Sequence, residues 1–197
     1  MQQEEGEWLE AAQRGDSQAF SRLIDMYAKP VYNLCYRMLG SPQDAEDAAQ
    51  ETFLRAFRSL GRYDPQRKFA TWLLSIAANY CIDQHRRVRP QLVSLDEVAQ
   101  IDLQRDRPGP EKQALAHETQ AEVQRLLASL PARDRAALIL YYWYEYSYAE
   151  LAKVLSLSEP ALKARLHRAR RSLAATWLQN QGNPSFSQRR IYEKTVS

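Results

Sequence analysis

The chain has 197 residues, 45% of them hydrophobic, and its 27 lysines and arginines stand against 24 aspartates and glutamates for a formal net charge of +3. That length permits one or two compact domains with real cores, and the near-balance of charge points to no partner by itself; bases gather at 86–89 and 163–171 and acids at 44–51. No apolar run approaches the ~20 residues that span a bilayer and the first residues do not read as a secretory leader, while Cys35 and Cys81 sit in apolar helical patterns that suit buried thiols of a reducing cytoplasm.

In chain order, Trp8, Leu9 and Ala12 begin a helical pattern that restarts after Asp16, an N-cap, with Phe20, Leu23, Ile24 and Tyr27 on one face. Pro30 is expected to interrupt this helix, and Val31, Leu34, Cys35, Met38 and Leu39 resume the pattern beyond it. Ser41-Pro42-Gln43-Asp44 then supplies a cap, a proline at the first helical position and an acid at the third. Ala45, Ala48, Ala49, Thr52, Phe53, Ala56 and Phe57 trace an apolar stripe from there, and Asp44, Glu46, Asp47 and Glu51 point elsewhere. Acids are favoured in a first helical turn by the positive end of the dipole. That accounts for Asp44 and Glu46 and less well for Glu51, so an acidic docking face for a basic partner stands level with it.

GRYDPQRKF, residues 61–69, reads as a loop by its glycine and proline. In the helix after it Phe69, Leu73, Ile76, Ala77 and Tyr80 can face inward, with Ser75, Asn79, Asp83 and Arg86 on the other side, and Trp72 reads as core. An aromatic, Tyr63, in a loop beside the polar Asn79 face, with bases at 86, 87 and 89, suits unstacked nucleotides. Residues 89–111 lose the helical period and carry Pro90, Pro108, Gly109 and Pro110. As a flexible linker, roughly 23 residues reach about 75 Å at ~3.3 Å each, enough to hold two modules on separate turns of one duplex.

Ser147-Tyr148-Ala149-Glu150 has the form of a capping box, so a helix is expected to begin near Tyr148. Ser156-Leu157-Ser158 interrupts it, and Ser158 and Pro160 suit the start of a second helix. There Leu162, Leu166, Ala169 and Leu173 form a core stripe, opposite Lys163, His167, Arg168 and Arg171, with Ala164 between them and Arg165 and Arg170 flanking. Solvated helices intersperse both signs of charge, whereas no carboxylate offsets these bases, which favours a polyanion. A short helix, a three-residue turn and a basic helix make a helix-turn-helix whose second helix enters a major groove. The upstream run YYWYEYSY, residues 141–148, is expected to pack inside the C-terminal domain, and the tail, residues 179–197, is expected to be disordered.

No phosphate-binding Gly-x-x-x-x-Gly-Lys-Ser/Thr loop is present, His85, His117 and His167 are scattered, and neither cysteine belongs to a metal-spaced pair. No enzymatic activity, cofactor or metal is therefore expected. The fold class expected is all-α: two small helical domains, 7–88 and 112–178, joined by the flexible linker, the second containing the helix-turn-helix.

From about Gly15 to Trp177 the chain resembles the extracytoplasmic-function sigma factors of bacterial RNA polymerase. DAEDAAQETFLRAFRSLGRYDPQRKFATWLLSIAANYCIDQHRR is similar to their clamp-binding and minus-ten region, and LPARDRAALILYYWYEYSYAELAKVLSLSEPALKARLHRARRSL to their minus-thirty-five region. The resemblance implies that Asp44, Glu46, Asp47 and Glu51 dock on the clamp coiled coil of core RNA polymerase, and that the C-terminal domain meets the polymerase flap. It implies that Tyr63, Asp64, Gln66, Ile76, Ala77, Asn79 and Arg86 serve the minus-ten element as opened, single-stranded promoter DNA. Lys163, Ala164, His167, Arg168 and Arg171 would then face the minus-thirty-five duplex. A cytoplasmic bacterial protein with an anti-sigma factor and no membrane insertion is implied as well. The chain departs from the family at Glu145, where glycine is usual, at Pro160-Ala161 in place of Gly-Thr, and at Ala164 in place of serine. A free-standing helix-turn-helix regulator is the alternative, although it would need neither the acidic helix nor the aromatic loop.

Overall fold

The computed structural model describes residues 2–87 and 110–181, all in helices and their connections. The linker up to residue 109 and the tail beyond residue 181 lie outside the described residues. Four helices come from the first half: α1 (Gln2–Gln13), α2 (Ser17–Leu39), α3 (Pro42–Ser59) and α4 (Phe69–Arg87), with a 3-10 turn at Leu60–Arg62. Four follow in the second: α5 (Pro110–Ala128), α6 (Ala132–Trp143), α7 (Tyr148–Leu155) and α8 (Glu159–Gln181). Among the described residues no strand occurs, and no helix is long and apolar enough to cross a membrane.

The caps stand where the sequence places them. Asp16 Oδ1 accepts from the N–H groups of Gln18 at 2.8 Å and Ala19 at 3.1 Å, and Ser41 Oγ accepts from Asp44 N–H at 3.3 Å. Gly40 stops α2 at φ 82°, a left-handed conformation that glycine adopts freely. Pro30 does not interrupt α2, contrary to expectation; the helix runs through it. A proline inside a helix costs about 3 kcal/mol, but Val31, Leu34, Cys35 and Met38 beyond it are fully buried on the stripe of Phe20 and Leu23. At about 1.5–3 kcal/mol for each buried side chain, their burial outweighs that penalty.

Alanines 45, 48, 49 and 56 line the buried side of α3, which lets it lie close to α2 and α4. Cys35 and Cys81 are buried free thiols within this bundle. The second core gathers Leu138, Ile139, Leu140, Leu151, Leu162 and Leu166, all at most 2% exposed. α2 and α4 touch α5, α6 and α7, so the two sets of helices are in contact.

Candidate nucleic-acid and partner interfaces

The helix-turn-helix is built from its caps outward. Ser147 Oγ accepts from Glu150 N–H at 3.2 Å, and Glu150 Oε2 accepts from Ser147 N–H at 2.8 Å. Partial burial acts to raise the Glu150 pKa, yet the bonds from Ser147 hold it below the usual carboxylate value. The turn closes through Ser156 at φ 53° and a bond from Leu157 N–H to Ala152 O at 2.8 Å, and Ser158 Oγ accepts from Ala161 N–H at 3.4 Å to start α8. Leu162, Leu166 and Ala169 are buried, while Lys163, Ala164, His167, Arg168 and Arg171 are all exposed together on the opposite side. Among the described residues His167, Arg168 and Arg171 make no ion pair, which leaves a basic face for an anion.

The flanking bases are handled differently. Arg165 turns inward to Asp134 of α6. Arg170 lies over the rings of Tyr141 and Tyr142 at 5.5 and 5.6 Å and donates through Nε to the Tyr142 hydroxyl at 2.9 Å. Lys163 Nζ sits 5.5 Å from the ring of Tyr148, which stacks on Tyr141 at 5.4 Å. Glu145 adopts φ 54°, so the place where the resemblance expects glycine is a left-handed position that glycine would fill without strain.

In the first bundle the loop after α3 differs from expectation at its aromatic. Tyr63 is 6% exposed, its ring packed on Phe69 at 5.5 Å and Trp72 at 5.1 Å and its hydroxyl donating to Arg67 O. The ring is thus part of the core and offers no stacking face, because Phe69 and Trp72 at the start of α4 close over it. Gln13 Nε2 of α1 ties the same turn, donating to Leu60 O at 3.1 Å. Asp64 and Gln66 are exposed, with Asp64 Oδ1 accepting from Gln66 N–H at 3.0 Å. On α4, Asn79 and Arg86 are exposed, Ile76 is half-buried, and Ala77 is fully buried and presents nothing to a ligand.

Asn79 lines a cleft of about 430 Å³ together with Arg67, Ser75, Ile82 and Asp83, faced across the cleft by Arg133, Lys153, Val154, Leu155 and Ser156 of the second half. Asp64, Gln66, Ile76 and Arg86 are not among its lining residues. Arg67, Arg133 and Lys153 were not among the sequence candidates; nothing in their local pattern separates them from ordinary surface bases.

On α3, Asp44, Glu46 and Asp47 are exposed and Glu51 accepts from Arg55 Nε at 2.7 Å. Beside them Leu54 is 50% and Phe57 48% exposed. Phe57 was expected on the core stripe, but the bundle covers only one side of its ring, which meets Phe20 at 5.0 Å. The acids and these two apolar side chains make a mixed surface of the kind that protein partners use. Among the described residues no cluster of His, Cys, Asp and Glu is placed to hold a metal ion.

The family models for sigma-70 region 2 and for sigma-70, region 4 match residues 23–90 and 120–173. The ECF RNA polymerase sigma factor SigW of Bacillus subtilis is 35% identical over 84% of this chain and 92% of its own length. The sigma-H factor of Pseudomonas aeruginosa is 30% identical over 87% and 93% respectively. Of solved structures, CnrH in complex with the cytosolic domain of CnrY superposes with a TM-score of 0.65 at 25% identity, covering 91% of this chain and 99% of that one. Two sigma-70 regions in this order, in a chain that spans nearly the whole length of such relatives, place it among the ECF RNA polymerase sigma factors.

Proposed function

We propose that this sigma factor joins core RNA polymerase through the carboxylates of α3 and reads promoters with two separate surfaces. Asp44, Glu46, Asp47 and Glu51, flanked by Leu54 and Phe57, dock on the clamp coiled coil, and the C-terminal helices meet the flap. Asp64, Gln66, Asn79 and Arg86 hold the opened minus-ten strand. Tyr63, Ile76 and Ala77 shape the support beneath them. Lys163, Ala164, His167, Arg168 and Arg171 face the major groove of the minus-thirty-five duplex.

The observation that carries this reading is the opposition of two surfaces in one chain, an acidic-apolar face on α3 and an unneutralised basic face on α8. Opening needs no nucleotide hydrolysis: stacking is worth about 1.4 kcal/mol per step, which contacts to a captured base can offset. The two modules are 7–88 and 112–178, the chain acts in the bacterial cytoplasm, and it performs no catalysis of its own. An anti-sigma factor is the further partner, in keeping with the resemblance and with CnrH, solved with the cytosolic domain of CnrY. Co-elution with purified bacterial core, followed by footprinting on a promoter it directs, tests the reading. Protection over both elements is expected, and protection over one alone would refute the division of surfaces.

A further inference from the structure

Resting on the minus-thirty-five reading of α8, we propose that Tyr141, Tyr142 and Tyr148 are positioning residues: they hold Lys163 and Arg170 ready as a pair of phosphate contacts along one edge of that helix.

Lys163 and Arg170 are two helical turns apart in sequence, so they share one side of α8, about 10 Å from each other at ~1.5 Å per residue. That side lies between the buried stripe of Leu162, Leu166 and Ala169 and the exposed His167, Arg168 and Arg171. A residue at the edge of a helix in a groove meets the phosphates of the wall before it meets base edges. Both cations rest on rings. Lys163 Nζ is 5.5 Å from the centre of the Tyr148 ring, which stacks on Tyr141 with centres 5.4 Å apart and planes 21° from parallel. Arg170 lies over Tyr141 and Tyr142 at 5.5 and 5.6 Å, in the angle made by their edge-to-face contact, and its Nε donates to the Tyr142 hydroxyl at 2.9 Å. Contact with the Tyr141 hydroxyl, and after it with Arg170, draws the Tyr148 hydroxyl below its ordinary pKa, which places the guanidinium charge beside all three tyrosines. Among the described residues neither Lys163 nor Arg170 pairs with a carboxylate, so both charges remain for an anion.

Folding does not ask for this ladder. Tyr142 is 56% exposed, and the core beneath is already filled by Leu138, Leu162 and Leu166. Binding gains from it: lysine and arginine have the most rotamer freedom to lose, and each such side chain ordered at an interface lowers affinity. Rings and a hydroxyl that order the two cations beforehand remove that cost. The start of α8 carries Pro160, Ala161 and Ala164, none with a hydroxyl to offer a phosphate, which leaves a larger share to the edge cations.

Anisotropy titrations of the full chain test this with two labelled duplexes, one carrying the minus-thirty-five element footprinted with the holoenzyme and one of scrambled sequence. Arg170→Gln should weaken both alike and flatten the plot of log K against log salt by about 0.9, the share of one phosphate. Tyr148→Leu should weaken both about two- to tenfold, the cost of ordering one long side chain, and should change nothing further in a chain that already carries Lys163→Gln and Arg170→Gln. Tyr148→Phe, which keeps the ring, should restore most of the binding. An Arg170→Gln loss confined to the footprinted duplex would make Arg170 a base contact and overturn the proposal. So would a Tyr148→Leu loss that is absent, or that is as large without the two cations as with them. A holoenzyme that protects no minus-thirty-five element would refute the proposed function and the ladder with it, whereas protection combined with an unchanged salt slope in Arg170→Gln would refute the ladder alone.

Discussion

Arg135→Met puts a number on the polar junction between the halves. The guanidinium donates to three carbonyls, Met38, Ala128 and Leu130, and stands beside His85. Hydrogen bonds to a charged donor are worth about 1.5–3 kcal/mol each. Against them stands burial, which lowers the Arg135 pKa to about 10, a loss of about 3 kcal/mol of preference for the charged form. Nε has no partner, which adds to the penalty. Three such bonds less the burial leave about 1.5–6 kcal/mol, which the bare Nε trims toward the lower end, and methionine fills most of the volume, so the loss on substitution is mainly polar. Urea unfolding followed by circular dichroism should show a fall of that size, with the midpoint moving and the slope kept. A loss below about 0.5 kcal/mol, the range of ordinary surface changes, would mean that the carbonyls find other partners and that the junction does not depend on this side chain.

Arg168→Ala should weaken binding to a minus-thirty-five duplex by about 1–3 kcal/mol in an anisotropy titration while sparing core association; equal loss of both would refute the separation of roles. Asp47→Ala should weaken core association in a competition assay and leave the duplex titration unchanged. Tyr63→Ala should cost about 3–5 kcal/mol of stability, because it removes a buried ring, whereas Asp64→Ala with Gln66→Ala should stay within about 0.5 kcal/mol and reduce permanganate reactivity of promoter thymines; failed opening in a stable Tyr63→Phe variant would return a direct DNA role to Tyr63. Burial raises the hydroxyl pKa of Tyr27, Tyr144 and Tyr146 above the ordinary value of about 10. These groups stay protonated in the fold where the unfolded chain ionises, so their contribution is complete below pH 10 and falls as pH rises above it. The depressed Arg135 acts in the opposite sense above pH 10, against these three and against Tyr32 and Tyr63, whose pKa burial also raises. Alkaline titration should therefore show a stability loss above pH 10 accompanied by late phenolate absorbance, and early ionisation of all tyrosines would contradict it.

What the sequence carried was local. Asp16, Ser41 and the Ser147–Glu150 box each act within one turn of their own helix, so residue type and spacing suffice to place them. The basic face of α8 was equally plain, because its stripe of Leu162, Leu166 and Ala169 fixes what lies opposite. The misses are tertiary. Pro30 looked like a break because its local penalty is visible and the burial that outweighs it is not. Tyr63 looked exposed because it sits in a loop, and only the fold brings Phe69 and Trp72 over it. Tyr144 and Tyr146 were expected to pack within their own half; their hydroxyl partners, Pro30 and Thr71, lie far away in sequence, where no periodicity points.

The central claim is that this chain turns core polymerase into a promoter-selective enzyme. Run-off transcription with purified bacterial core across a genomic promoter library tests it most directly. Discrete transcripts that require the chain, and that vanish with Arg168→Ala while core binding persists, are predicted. A chain that neither forms a holoenzyme nor starts any transcript would contradict the account.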